Sequence, residues 1–419
     1  MRKSPKQLGF GDVDFIYHQA RDIMTTTSHS FTVPFILVLM ISAVEMATAM
    51  YTPSLPAIAA HFDVSEAVVQ WSISINLVGL ALSGPLYGPW SDSHGRRSAM
   101  RIGMSLFFIG SLLAWLTNSI EVLMISRLVQ GIGAGAGITV SYAVVRDLFD
   151  GKRSAQILSY MGMAIALSPG LGPIIGGYLA HHHGWRSSFA LICIISAFML
   201  AILYAWMPET LPQENRPRFS LREMASSYRQ SVKNLRFLTF GLIPSLMIGA
   251  IWVWMAGLPV LFIKHLDVPV HHYGYYGFAG VLFYILGAYL NSWIVKYFTL
   301  QRLLLVGLAL CLLSSVGLLV LYGGGVNDPL VLQMSSFPFA VGLAFIIPNG
   351  TALTFAEIKD NIGTCSALFG ALEMITGAFG VFLIGEFFTG TILSIALIQV
   401  LATVISLGLF VYLMRPKAA

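Results

Sequence analysis

Three ionisable side chains sit inside long apolar runs of this sequence: Glu45, Arg127 and Glu373. Holding such a group in the middle of a bilayer costs at least about 2.5–3.5 kcal/mol, so each needs a chemical reason. A carboxylate that alternately meets and loses a cationic partner releases and takes up a proton, which is what proton-coupled transport requires. Glu45 lies six residues from the outer end of its run, and Arg127 lies six residues from the outer start of a run in the opposite sense. At about 1.5 Å per residue both fall about 9 Å below the outer surface, so they are expected to pair. A static ion pair that only fixes helix packing is the plainer reading of the same spacing. Glu373 stands some ten residues from the inner end of its run with no basic partner in sequence. It reads either as a cavity-facing, partly protonated acid or as a packing residue bonded to Ser or Thr hydroxyls of a neighbouring helix.

A second group, Gly88, Asp92, Gly95, Arg96 and Arg97, crowds glycine, a carboxylate and paired arginines into ten residues between two apolar runs. So charged a turn belongs at a membrane surface. There glycine lets helices approach, Asp92 pairs with a cation beside a helix end, and Arg96 and Arg97 face anionic lipid. A hinge or latch fits this composition. A merely topogenic basic loop explains the arginines but not the glycine and aspartate spacing. A third group, Pro169, Gly172, Pro173, Gly176 and Gly177, combines residues that bend a helix with residues that let it pack tightly. Around these, Met46, Met50, Tyr51, Tyr142, Met161, Met163, Trp252, Trp254 and Met255 offer an adaptable apolar wall, with Met46, Ala49, Tyr142, Met163 and Trp254 as the expected cavity positions. Such a wall suits small amphipathic compounds better than sugars, which would ask for more buried Asn and Gln.

The elements that position these groups follow from composition. Of 419 residues, 56% are hydrophobic and only 10% charged, and the mean hydropathy is +0.77, outside the range of soluble domains. Runs of about 20 residues, the length that crosses a bilayer, fall near 31–51, 68–90, 99–117, 121–145, 157–180, 186–207, 236–263, 273–297, 301–322, 329–353, 363–385 and 389–414. The expected fold is therefore an all-α integral membrane protein of twelve transmembrane helices. With both termini inside, 21 of the 24 Lys and Arg residues lie on the cytoplasmic side, only Arg186 and Lys264 lie outside, and Arg127 lies within a span. The net charge of +5 thus reports topology and anionic lipid, and no nucleic-acid partner is expected.

Cys193, Cys311 and Cys365 lie in or at the edge of spans without motif spacing and read as packing residues. Seven of the ten histidines fall on the outer side, and none has the spacing of a dedicated zinc site. No metal or cofactor is expected, and no constellation suited to an enzyme is found within the spans. Residues 1–30 lack an apolar core, so no cleavable signal peptide is expected. Val13, Ile16, Tyr17, Ala20, Ile23 and Met24 recur at helical spacing, consistent with a surface helix or a disordered tail.

The longest polar stretch, 208–235, divides the chain into an N-terminal segment (1–30), a six-helix bundle (31–207), a linker (208–235), a second six-helix bundle (236–414) and a tail (415–419). Gly287 and Asn291 faintly repeat the spacing of Gly88 and Asp92, as expected of parallel repeats around a midplane site. The Gly88, Asp92, Gly95, Arg96 and Arg97 pattern resembles the loop between helices two and three of the major facilitator superfamily. Further segments resemble its drug:proton antiporters of the bicyclomycin-resistance (Bcr/CflA) type. These are Met50 to Pro56, Arg127 with Gln130 and Gly131, Arg146 with Asp147, Pro208 to Pro212, Tyr273 to Gly277 and Gly363 to Ala367. The Pro169 to Gly177 segment is similar to the family's antiporter motif. Members of that branch usually carry an aspartate where this chain has Ala49, and Glu45, four residues back, is the candidate substitute. The resemblance implies a monomeric exporter in the bacterial inner membrane that exchanges protons for small amphipathic compounds. Export of an endogenous metabolite, or symport, are the alternatives.

Overall fold

The computed structural model describes residues 32–217, 221–358 and 362–414. The readings made for the N-terminal segment and the C-terminal tail lie outside them. Among the described residues twelve helices are long and apolar enough to cross a membrane: α1 (Thr32–Phe62), α2 (Glu66–His94), α3 (Arg96–Leu116), α4 (Ile120–Leu148), α5 (Gly151–His183), α6 (Arg186–Trp206), α7 (Leu235–His265), α8 (Val270–Ile294), α9 (Leu300–Gly323), α10 (Pro329–Ala356), α11 (Gly363–Phe387) and α12 (Ile392–Met414). Among the described residues there is no strand.

Short polar residues start the helices as their chemistry requires. Ser65, Ser119, Asn234, Thr299 and Asp328 each accept a backbone N–H from the first turn of α2, α4, α7, α9 and α10. Several helices run further than expected, two of them through prolines. Pro53 and Pro56 interrupt α1 without ending it: a 3-10 turn at Thr52–Ser54 leads into a further helix, Leu55–Phe62. Both prolines occupy first-turn positions, where the missing N–H costs nothing. α2 continues through Pro85 and Pro89 to His94, so the charged turn between α2 and α3 shrinks to Gly95 alone. The two halves also share a backbone device, since α1 and α7 are each followed by an aspartate with left-handed φ, Asp63 at 52° and Asp267 at 53°.

Lipid offers no hydrophobic drive to hold helices together, and close backbone approach substitutes for it. A Cβ added at Gly79 would lie 2.6 Å from the carbonyl oxygen of Leu128, which presses α2 onto α4. In the second half, a Cβ at Gly307 would lie 2.7 Å from the Gly342 oxygen and one at Gly342 would lie 2.6 Å from the Gly307 oxygen, which clasps α9 to α10. Between the halves α2 packs along α11 and α5 along α8. The linker helix, Leu221–Val232, lies outside the spans. It is held by Tyr228, whose hydroxyl donates to the Pro85 oxygen at 3.1 Å, and by Cys365 Sγ donating to Ser231 Oγ at 3.3 Å. Burial pushes the Tyr228 phenol up to about 12, so it stays a neutral donor.

Candidate functional site

The intramembrane charges do not meet as their spacing suggested. Arg127 is fully buried, yet it makes no ion pair among the described residues. Its guanidinium lies 4.4 Å over the ring of Tyr51 and donates through Nη1 to Gln130, while Nε and Nη2 meet no acceptor among the described residues. Tyr51 shares a 2.8 Å hydrogen bond with Ser72, Gln130 donates to Ser111 at 2.9 Å, and Asn76 donates to the Arg127 carbonyl at 2.9 Å. The discrepancy has a simple cause. Since α1 extends to Phe62, Tyr51, and not the helix end, marks the level of Arg127, and Glu45 stands six residues deeper, about 9 Å.

Glu45 is partly exposed and interacts electrostatically with Tyr142 of α4, itself 39% exposed. In the second bundle, partly exposed Glu373 of α11 stands in the same relation to Tyr284 of α8. No hydrogen bond or ion pair to either carboxylate is found among the described residues. The hydroxyl nearest in sequence to Glu373, that of Thr376, donates to backbone oxygens, including that of Ser245 at 2.6 Å. Each bundle thus holds one carboxylate beside a tyrosine.

At the end of the molecule that carries the linker, Arg96 is buried rather than lipid-facing. Its Nε donates to Asp147 at 2.8 Å, and its Nη1 donates to Ser91 at 2.7 Å and to Asp92. Its backbone N–H donates to Glu209 at 2.9 Å, and Glu209 also pairs with Arg216 at 3.3 Å. Gly95 has φ of 94°, and Arg216 Nη2 would lie 2.7 Å from an added Cβ, so only glycine fits. Gly88 has open space around its Cβ position and serves no close approach. Arg97 reaches the Tyr204 oxygen at 3.1 Å. Asp147, Glu209 and Arg216 were missed as members of this network. The signal was present, because Asp147 and Glu209 lie in segments that carry the family resemblance. By contrast, the expected echo at Gly287 and Asn291 is interhelical packing: Gly287 abuts Val341, and Asn291 accepts from Asn349 of α10 at 2.7 Å.

The glycines of α5 form two contact faces. A Cβ at Gly172 would lie 3.1 Å from the Met46 oxygen, and Gly176 meets the Met50 carbonyl, so this face packs on α1. Gly170 and Gly177 pack on α8 of the other bundle, a Cβ at Gly177 lying 2.5 Å from the Val270 oxygen. Pro169 and Pro173 are accommodated within the continuous helix. Met163 shares the Gly170 and Gly177 face but lies toward the linker end, and there it is 51% exposed. Two expected cavity positions are buried in packing: Ala49, 1% exposed, packs against Gly172, and Trp254, 7% exposed, belongs to the core. Partly exposed Met46 and Tyr142 remain beside Glu45.

Contacts between bundles gather at the end away from the linker. Gln70 donates to the Ala256 oxygen at 3.1 Å, Ser74 to the Ala378 oxygen at 2.7 Å, Lys264 pairs with Glu66, and Trp71 stacks on Phe382 at 6.2 Å. Two six-helix bundles joined at one end define a carrier of the alternating-access class.

Comparison with known proteins agrees. Residues 37–381 match the Major Facilitator Superfamily, and the chain belongs to that family. It is 27% identical over 336 residues to the bicyclomycin resistance protein homolog of Haemophilus influenzae, which covers 78% of this chain and 82% of that one. It is 28% identical to multidrug resistance protein D of Escherichia coli, covering 81% and 84%. Among solved structures, the partially occluded inward-open xylose transporter XylE from E. coli superposes with a TM-score of 0.71 at 17% identity, covering 93% of this chain and 99% of that one, a likeness of fold. The protein is a multi-pass inner-membrane transporter of small molecules.

Proposed function

We propose that the protein exports small amphipathic compounds across the bacterial inner membrane in exchange for protons. The observation that carries this reading is the pair of partly exposed carboxylates, Glu45 and Glu373, one per bundle, each beside a tyrosine and without an ion-pair partner among the described residues. An acid so placed carries its proton when the cavity is apolar and loses it when a cationic substrate or water arrives. Arg127 supplies a fixed positive charge behind the Tyr51 ring, tuning Glu45 from a distance. Met46, Tyr142 and Met163 form the adaptable substrate wall. The names of the relatives, bicyclomycin resistance protein homolog and multidrug resistance protein, favour drug-like compounds over sugars.

The Asp92, Arg96 and Asp147 network acts as the latch that sets the first bundle's cytoplasmic corner, with Gly95, Arg97 and the linker closing over it. α5 is the wedge that seals the outer seam. The linker end is the cytoplasmic one, the monomer is the working unit, and the proton gradient is the energy source, with no cofactor and no nucleic-acid partner. Purified protein in weakly buffered detergent tests the coupling. Adding tetraphenylphosphonium should release protons, and Glu45→Gln should remove most of that release; no release from the native protein at any pH between 6 and 9 overturns the proposal.

A further inference from the structure

A cavity of about 610 Å³ opens on the flank of the first bundle, between α3 and α6 at the linker end, away from the space between the bundles. Arg97 and Arg101, one helical turn apart on α3, both donate an Nη2 hydrogen to the same carbonyl oxygen, that of Tyr204, each at 3.1 Å. The Arg101 guanidinium also lies 4.3 Å over the Tyr204 ring. Neither arginine has an ion pair among the described residues, and the Nε of each is buried without a protein acceptor. The one acid on the cavity wall, Glu209, is committed elsewhere. It accepts from the backbone of Arg96, Thr210 and Leu211 and pairs with Arg216, the third arginine of the wall.

Three guanidinium groups therefore face a single, already occupied carboxylate. Like charges held this close repel, and an anion set among them relieves the repulsion and meets unspent donors. The rest of the wall is suited to something longer than an ion. Ser98 and Ser105 add hydroxyls, while Ile102 and Leu106 begin an aliphatic stripe that Ile109 and Leu113 continue along α3 through the middle of the helix. Ile102, Ile109 and Leu113 are exposed. Cationic pockets between spans on one leaflet are suited to lipid phosphate.

We propose that this cavity is a binding site for an anionic phospholipid, with Arg97 and Arg101 holding its phosphate and the α3 stripe holding an acyl chain. Glu209 and Arg216 join the site to Gly95 and Arg96, so the bound lipid braces the corner where α6 and the linker meet the latch.

Delipidated, purified protein titrated with dioleoyl phosphatidylglycerol and followed by native mass spectrometry and thermal unfolding tests this. One lipid should be retained in preference to dioleoyl phosphatidylcholine, with a raised unfolding midpoint. Arg97→Gln with Arg101→Gln should weaken retention at least tenfold, whereas Lys296→Gln with Arg302→Gln, a like loss of charge on the second bundle, should leave it intact. Ser105→Trp fills the cavity and keeps both arginines. It should also abolish retention, and it decides the matter if the double arginine variant does not fold. Equal retention by Ser105→Trp and native protein overturns the proposal. So does stabilisation by inorganic phosphate or glycerol 3-phosphate that matches the lipid's, since it marks a site for a soluble anion without an acyl chain.

Discussion

The buried arginine of α4 illustrates how one side chain's partner depends on where a helix ends. Arg127 was legible as a costly intramembrane charge, and so were Glu45 and Glu373, because any ionisable residue in an apolar run stands out. Their partners were not legible. Depth was counted from a presumed end of α1 near Tyr51, whereas Pro53 and Pro56 begin new turns and the helix goes on to Phe62. The tyrosine ring that shields Arg127 is apolar in composition and electrostatic in action, a role no periodicity reveals. The network around Arg96 was half legible, with Asp92, Gly95 and Arg96 found from spacing and Asp147, Glu209 and Arg216 supplied by distant segments of chain. Asp147→Asn leaves buried Arg96 short of its main acceptor. Asp92 and Ser91 stay on Arg96 Nη1 and Asp147 is not fully buried, so the loss is that of one charge-assisted hydrogen bond, about 1.5–3 kcal/mol; the variant should unfold at a lower temperature in detergent, and an unchanged midpoint would show the pair to be dispensable. Asp92 is nearly half exposed, so Asp92→Asn should spare folding and substrate binding while reducing transport at least tenfold in vesicles. Full transport by that variant would remove the latch role.

Helices, as elements, were found in the right number and order because spans of this hydropathy are hard to miss, and most ends moved by a few residues, while α1 ran eleven residues past its expected end because prolines were read as stops. α5 shows what sequence leaves open. Its glycines and prolines announced tight packing, but not that Gly172 and Gly176 serve α1 within the bundle while Gly170 and Gly177 serve α8 across the seam. This division orders the forces that close the far end. The Lys264–Glu66 pair is half exposed on its lysine side, and such a pair contributes about 0–1 kcal/mol. Backbone contact at Gly177 admits no side chain, and overpacking there costs about 1–3 kcal/mol. Thiol labelling of Ser74→Cys from the outer solution separates the two. Gly177→Leu should raise the rate at least tenfold and Lys264→Gln less than fivefold; the reverse order would mean that the ion pair is the seal.

Across the whole molecule, the two-bundle architecture follows from the hydropathy pattern and the polar stretch that splits it, while the contacts that join the bundles come from backbone approach at α5 and from side chains far apart in sequence, which composition does not encode. With the contacts between bundles gathered at one end and Met163 exposed toward the other, the proposed function has Glu45 and Glu373 serve a shared space, and proton coupling in that space is the central claim. The most direct test is flux in proteoliposomes with an imposed pH gradient and a pH-sensitive dye inside. Tetraphenylphosphonium added to native protein should dissipate the gradient as it is exchanged for protons. Glu45→Gln should reduce that flux at least tenfold while substrate binding persists and no longer varies with pH. Undiminished, pH-driven exchange by Glu45→Gln together with Glu373→Gln would contradict the account, because neither carboxylate would then carry the proton.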